Sequence, residues 1–308
     1  MERLPDLFIR AIVSRYLTPC TAAICTPIVY LFLVCALLLY PLTLTQLADA
    51  KARRPKAVSN AGDIILRPVP DLNQSGAGTT VVGGKKADTK EWEASLYPAS
   101  DADRCSATLI GPKALLLAAH CVGDGKKVTF TKDGVQHSGT CTHSGDYKKD
   151  ESADYALCLI IDPISMIKFE TVIQDPSLIR VGSKITLTGY GCTQYPQAGG
   201  NDGIFRTAEP VINAIPGQPG NERNTILVYD KNIGICSGDS GSGAFIYVVA
   251  ATKRVIAAVN SREYATDYTS YLSSLTTTDA QRFLLKWTHD NNDEKICGVN
   301  FFYPDDCQ

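Results

Sequence analysis

Ser240 lies in the stretch Cys236-Ser237-Gly238-Asp239-Ser240-Gly241-Ser242-Gly243. Glycine on both sides lets the backbone turn tightly there. It also leaves main-chain N–H groups free to point at a ligand instead of into a strand ladder. An exposed hydroxyl beside preorganised donors is what a nucleophilic serine needs to attack a carbonyl and hold the resulting oxyanion. A Gly-Asp-Ser-Gly run also suits an ordinary loop, so possible partners elsewhere in the chain decide between the two readings.

One partner is His120, in Leu115-Leu116-Leu117-Ala118-Ala119-His120-Cys121. Cys105 lies upstream, across a turn centred on Pro112. A Cys105–Cys121 bridge would close a hairpin-sized loop and fix His120 on a rigid element, as a catalytic base requires. A lone histidine is otherwise a satisfied structural residue. The chain has four histidines, and His137, His143 and His289 lack a comparable setting. The other partner is Asp154, in Ser152-Ala153-Asp154-Tyr155-Ala156-Leu157-Cys158, at the mouth of an apolar strand. An acid entering a buried strand must be paired or hydrogen-bonded, and orienting a histidine would satisfy it.

These residues need a scaffold, and the pattern around them is that of β structure. Short apolar or alternating runs cover 107–110, 114–118, 127–131, 156–161, 184–188, 225–228, 244–250 and 255–259, separated by Gly, Pro, Asn and Asp. That spacing predicts an all-β sandwich or barrel. A helix is predicted over 279–289, capped by Thr278 or Asp279, with Phe283, Leu284 and Trp287 on its apolar face.

With 308 residues, 44% of them hydrophobic, the chain can bury a large core. A net charge of -2 argues against a nucleic-acid partner. Of eleven cysteines, Cys20, Cys25 and Cys35 lie in or near an N-terminal apolar region and the rest follow it. No Cys-x-x-Cys pair occurs, so neither a metal nor any other cofactor is expected. A disulfide set formed in an oxidising compartment is the reading.

Residues 1–50 read as an address. Arg3, Arg10 and Arg15 precede the apolar run from Ile28 to Tyr40, and Ala48-Asp49-Ala50 offers a cleavage site. The product would be secreted. The alternative is a single-span anchor, because residues 28–44 border on spanning length, and membrane attachment is expected only if they persist. Residues 51–80 read as an extended, poorly ordered segment, a linker by composition. It carries a glycosylation sequon at Asn73-Gln74-Ser75.

The order His120, Asp154, Ser240, within AAHC, DYAL and GDSG, resembles the chymotrypsin/trypsin-like serine proteases over roughly 81–290. Val81-Val82-Gly83-Gly84 is similar to the mature N-terminus of that family. The Cys105 to Cys121 spacing matches its histidine loop, and Gly189-Tyr190-Gly191 resembles a Gly-aromatic-Gly of its second barrel. The resemblance implies two six-stranded antiparallel β-barrels, at about 81–178 and 179–277, followed by the helix 279–289 and a tail 291–308. It implies Ser240 as nucleophile, His120 as base and Asp154 as its orienter. The N–H groups of Gly238 and Ser240 would form the oxyanion hole. A new α-amino group at Val81 would pair with Asp239 once an activating protease had cut after Thr80, which would make residues 51–80 a propeptide. Thr80 is not basic, so an activator of other than tryptic specificity is implied. Polypeptide substrates and a monomeric enzyme are expected, and a non-catalytic binding module on the same fold is the alternative.

Departures from the family pattern fall in the substrate pocket. Gly234 stands six residues before Ser240, where members that cut after Lys or Arg carry Asp. In the wall Ala257-Ala258-Val259-Asn260-Ser261-Arg262, Asn260 is expected where a serine usually supports the aspartate. Arg262 is expected where a glycine usually opens the pocket, so it would narrow the pocket or select an acidic side chain. Glu263 or Asp267 could instead supply an acid. Ser242 and Gly243 replace a usual glycine and proline. The usual partner of Cys236 is missing after Asn260, which makes Cys192–Cys236 the expected bridge, with Cys141–Cys158 and Cys297–Cys307 beside Cys105–Cys121.

Overall fold

Continuous burial of β4 (Ala107–Gly111) and β5 (Ala114–Leu117) explains the architecture. Side chains alternate across a strand. Leu115 and Leu117 therefore enter one apolar cluster with Leu109, Val128 and Phe130, while Ala114 and Leu116 enter another with Tyr155, Phe245 and Trp287. A strand covered on both faces reads as an unbroken apolar run, which is how these two read.

The computed structural model describes residues 62–68, 81–98, 105–165, 167–192, 203–264, 268–303 and 305–308. The expected signal or anchor, the sequon at Asn73 and residue Asp267 lie outside these. Val58–Gln308 is one compact unit. Among the described residues no helix is long and apolar enough to cross a membrane.

Seven strands close the first barrel. They are β1 (Ile64–Pro68), β3 (Ser95–Pro98), β4, β5, β6 (Lys127–Lys132), β7 (Val135–His143) and β8 (Ala156–Ile160), in the order β1-β3-β4-β5-β8-β7-β6. β2 (Lys85–Lys86) belongs to the second sheet, with β9 (Thr186–Gly189), β10 (Arg206–Ala208), β11 (Ile212–Ala214), β12 (Thr225–Tyr229), β13 (Gly243–Val248), β14 (Lys253–Tyr264) and β15 (Thr269–Ser274). Its eight strands run β11-β12-β15-β14-β13-β9-β10-β2 around a core that includes Leu187, Ile226, Ala257 and Leu272. The helix α1 (Thr278–Asp290) is capped by Thr277, whose side chain accepts from the Ala280 N–H. Leu284 and Trp287 are buried on its inner face.

Two expectations are corrected here. The sheets hold seven and eight strands instead of six each. The seventh strand of the first barrel, β1, comes from the segment read as poorly ordered. It pairs antiparallel with β3 and parallel with β6, and Ile64 and Leu66 are buried in the barrel core. The eighth strand of the second sheet is the two-residue β2, which pairs with β10 along one edge.

The tail also packs against the body. Cys297 N–H donates to Ile110 O at 2.8 Å, Gln308 N–H donates to Phe169 O at 2.8 Å, and Phe301 joins the core of the first barrel. The structure joins Cys105–Cys121, Cys141–Cys158, Cys192–Cys236 and Cys297–Cys307. Cys141 and Cys158 face each other across the β7–β8 ladder.

Candidate active site

The site is built where the two sheets meet. β5 ends at Leu117 and the chain turns through a short 3-10 helix, Ala119–Cys121, that carries His120. The Cys105–Cys121 bridge ties this turn to the start of β4. Asp154 precedes β8, which pairs with β5 in register Leu117↔Ala156. Two adjacent strand ends thus bring His120 and Asp154 together.

Asp154 Oδ2 lies 2.6 Å from His120 Nδ1, and Asp154 Oδ1 accepts the His120 backbone N–H at 2.8 Å. Ser261 Oγ donates to Asp154 Oδ2 at 2.6 Å. Asp154 is buried, whereas the His120 side chain is 24% exposed. Burial alone would raise the Asp154 pKa. The facing imidazole and the donors from Ser261 and the His120 backbone outweigh it, and the carboxyl is held below its ordinary value. Burial likewise works against the imidazolium, as does the Arg262 cation. The Asp154 carboxylate outweighs both and His120 is raised. Cys105, His120 and Cys121 also converge, but the two sulfurs are bonded to each other, which leaves no thiolate for a metal.

Ser240 sits in the turn before β13. Its hydroxyl donates to Ser261 O at 3.3 Å. His120 Nε2 lies 3.7 Å from Cys121 Sγ. The turn is held from the first barrel by Ser106, whose N–H donates to Ser240 O at 2.6 Å and whose hydroxyl donates to Gly238 O at 2.8 Å. Sequence reasoning missed Ser106. Its signal was its position immediately after Cys105, just ahead of the strand that begins at Ala107. Gly238 has φ +109°, and a Cβ there would lie 2.8 Å from Gly191 Cα. Among the described residues, neither the Gly238 nor the Ser240 N–H donates to a protein acceptor.

Asp239 points away from Ser240 into the second barrel. Its Oδ1 accepts the Gly191 N–H at 2.7 Å and its Oδ2 accepts the Cys236 N–H at 2.8 Å. The carboxylate fills the space beside two glycines: a Cβ at Gly189 would lie 2.0 Å from Oδ1, and one at Gly191 2.6 Å from Oδ2. Burial pushes the Asp239 carboxyl well above its ordinary value in spite of these two donors. Val81 is buried among Ile185, Leu187 and Ile235. Within the uncut chain its nitrogen is a peptide nitrogen.

In the pocket, Gly234 pairs with Val82 through backbone contacts. The wall strand β14 is out of step with expectation by one residue. Its pairing with β15 shifts between Asn260 and Arg262, so Ser261, not Asn260, reaches Asp154. Asn260 is buried and donates through Nδ2 to Thr188 O at 2.8 Å, while its carbonyl accepts the Gly241 N–H at 2.8 Å. It therefore anchors the Ser240 turn to β9. Arg262 pairs with Glu222 and lies 4.7 Å from the centre of the Tyr271 ring. Ser242 shares a buried hydroxyl contact with Thr188 at 2.9 Å, and Gly243 opens β13.

Comparison with known proteins agrees with this fold. The trypsin family model matches residues 81–274. Kallikrein-11 of Homo sapiens is 26% identical over 190 residues, covering 54% of this chain and 67% of that protein. The solved structure of a protein designated HBP superposes with a TM-score of 0.52 at 14% identity, covering 68% of this chain and 97% of the other, a likeness of fold. The chain belongs to the chymotrypsin/trypsin-like serine protease family.

Proposed function

We propose that this chain is a secreted serine endopeptidase made as a zymogen. The observation that carries the reading is Ser261, whose hydroxyl donates to the His120-bonded Asp154 and whose carbonyl accepts from Ser240, a serine whose turn keeps two N–H groups unspent. Ser240 Oγ would rotate from the Ser261 carbonyl toward His120 Nε2, pass its proton there and bond to the scissile carbonyl carbon. The Gly238 and Ser240 N–H groups would hold the oxyanion. His120 would return the proton to the leaving amine as the C–N bond breaks. Water, deprotonated in turn by His120, would release the acyl group and restore Ser240. Asp154 would keep the imidazole in the required tautomer and stay ionised.

Activation would follow hydrolysis of the Thr80–Val81 bond. Water adds across that bond, leaving a carboxylate on Thr80 and an α-amino group on Val81. That cation would meet the Asp239 carboxylate, whose burial disfavours charge until a partner arrives. Val81 supports this choice of bond: a β-branched residue with φ +48° is strained. The torsion ceases to exist once the preceding carbonyl is gone. Secretion fits a body with four disulfides. Gly234 leaves no carboxylate at the pocket base, and the Arg262 cation is engaged by Glu222. An apolar residue before the scissile bond is therefore favoured over a basic or acidic one.

The test is intact mass after treatment with a serine-reactive phosphonate. It uses the chain cut before Val81, with Ser240→Ala alongside. One adduct on the cut chain and none on the variant is expected. A folded, cut protein that takes no adduct would overturn the protease reading and leave the cleft as a binding surface.

A further inference from the structure

The segment ahead of Val81 is not merely discarded packaging. β1 lies between β3 and β6 and completes the barrel, with Leu66 in register with both Pro98 on β3 and Phe130 on β6. Ile64 and Leu66 are 2% and 1% exposed and belong to the barrel core, whereas Ile65, pointing outward, is 53% exposed. The lead-in is fastened too. Gly62 O accepts the Gly123 N–H at 3.2 Å, and Asp63 Oδ1 accepts the Lys127 N–H at 2.9 Å. Without β1 the barrel would present two unpaired strand edges and an uncovered apolar core, a state prone to aggregation. No cysteine lies between 51 and 80, and all eight cysteines beyond are paired with one another.

From this placement we propose that the slot between β3 and β6 is a strand-binding site whose occupant is the chain's own Ile64–Pro68. When the chain is cut before Val81, this segment stays bound, so the active protein is two chains held by β-sheet addition without a disulfide. The inference rests on the proposed cut at Thr80–Val81 and adds what becomes of the released side. It bears on the catalytic base as well, because the acceptors at Gly62 and Asp63 hold Gly123–Lys127, the stretch that follows His120 and Cys121. A protein started at Val81 would lose the barrel's closing strand along with the propeptide.

The test uses the whole chain with Ser240→Ala, so that nothing depends on activity. A site for a sequence-specific viral protease replaces residues 76–80. After cutting, native mass spectrometry and gel filtration should give one species carrying both chains, heavier than the uncut chain by one water, while denaturing conditions should separate them. Leu66→Asp should speed loss of the segment at least tenfold, and Ile65→Asp should not. If Leu66→Asp does not fold, exchange of the cut wild-type segment against an excess of labelled peptide 58–70 is read instead and should take hours. Departure of the segment within minutes of cutting, equal loss from both variants, or rapid peptide exchange would overturn the proposal. Failure of the protease reading would show separately, in the phosphonate experiment.

Discussion

Ser261 Oγ donates to Asp154 Oδ2 at 2.6 Å, and the carbonyl of the same residue accepts the Ser240 hydroxyl at 3.3 Å. One position on β14 thus touches both Asp154 and Ser240. Its side chain stabilises the charged form of a buried acid, and its backbone accepts the hydroxyl of the proposed nucleophile.

Removing that hydroxyl should be felt twice. Ser261→Ala strips a donor from a buried carboxylate, and a hydrogen bond to a charged group contributes about 1.5–3 kcal/mol. Denaturant titration should show a stability loss in that range. Peptide hydrolysis should show kcat/KM reduced about tenfold, about 1.4 kcal/mol of transition-state stabilisation. Asn260→Ala acts elsewhere: it releases the turn from Thr188 and should reduce phosphonate labelling without altering the titration of His120. If Asn260→Ala shifted that titration as strongly as Ser261→Ala, the assignment of the supporting residue to Ser261 would be wrong.

The pH dependence follows from the pair. Asp154 holds His120 above the ordinary imidazole value of 6.5, against burial and the Arg262 cation. A charged imidazole cannot accept the Ser240 proton. The acid limb of kcat/KM should therefore have its midpoint above 6.5. The stability contribution has the same sign: it is present below the unfolded pKa and lost as pH rises through the folded one. In a Ser240→Ala background, the NMR titration of the His120 ring should show the raised value directly. Adding Asp154→Asn leaves only the lowering influences, so the midpoint should fall below 6.5. An unmoved midpoint would mean that Asp154 does not set it.

Gly191 is required for its missing side chain. Asp239 Oδ1 accepts its N–H, and Asp239 Oδ2 lies 2.6 Å from where a Cβ would be. Gly191→Ala should displace the carboxylate and with it the turn through Ser240, costing about 2–4 kcal/mol. Loss of phosphonate labelling on a protein that keeps its far-UV spectrum is the expected result. Full labelling would show that the turn does not depend on this seat.

How much of this was legible in the chain depended on burial. β4, β5 and β8 are covered on both faces and announced themselves as apolar runs. β7, with Gln136, Ser138, Thr140 and Thr142, and β15, with Thr269, Ser270, Ser273 and Ser274, did not, because a sequence rich in hydroxyls reads as loop. In β15 those hydroxyl residues are nonetheless buried. β1 was overlooked because a run of five residues carries too little pattern to mark a strand, and only its partners β3 and β6 give it meaning. The motifs around His120, Asp154 and Ser240 were legible because each is short and local, and the structure links the three residues through Ser261. The supporting serine was missed by one residue because a shift in the β14–β15 ladder cannot be counted along the chain.

Asp239 offers a way to watch activation without measuring catalysis. In the uncut chain burial holds its carboxyl well above the ordinary value, so the folded state binds this proton more tightly than the unfolded state. The stabilising contribution is complete below the unfolded pKa of 3.8 and is lost as pH rises through the folded pKa. Urea titration of uncut Ser240→Ala protein should show stability declining above pH 4, by at most about 1.4 kcal/mol per pH unit. Asp239→Asn should flatten that decline. Cutting before Val81 should flatten it too, because the new α-amino group favours the ionised carboxylate and draws its pKa down. Agreement between the two treatments follows from a single buried acid awaiting its partner. If cutting left the decline unchanged while Asp239→Asn abolished it, Val81 would not reach Asp239, and activation would have to work through another contact.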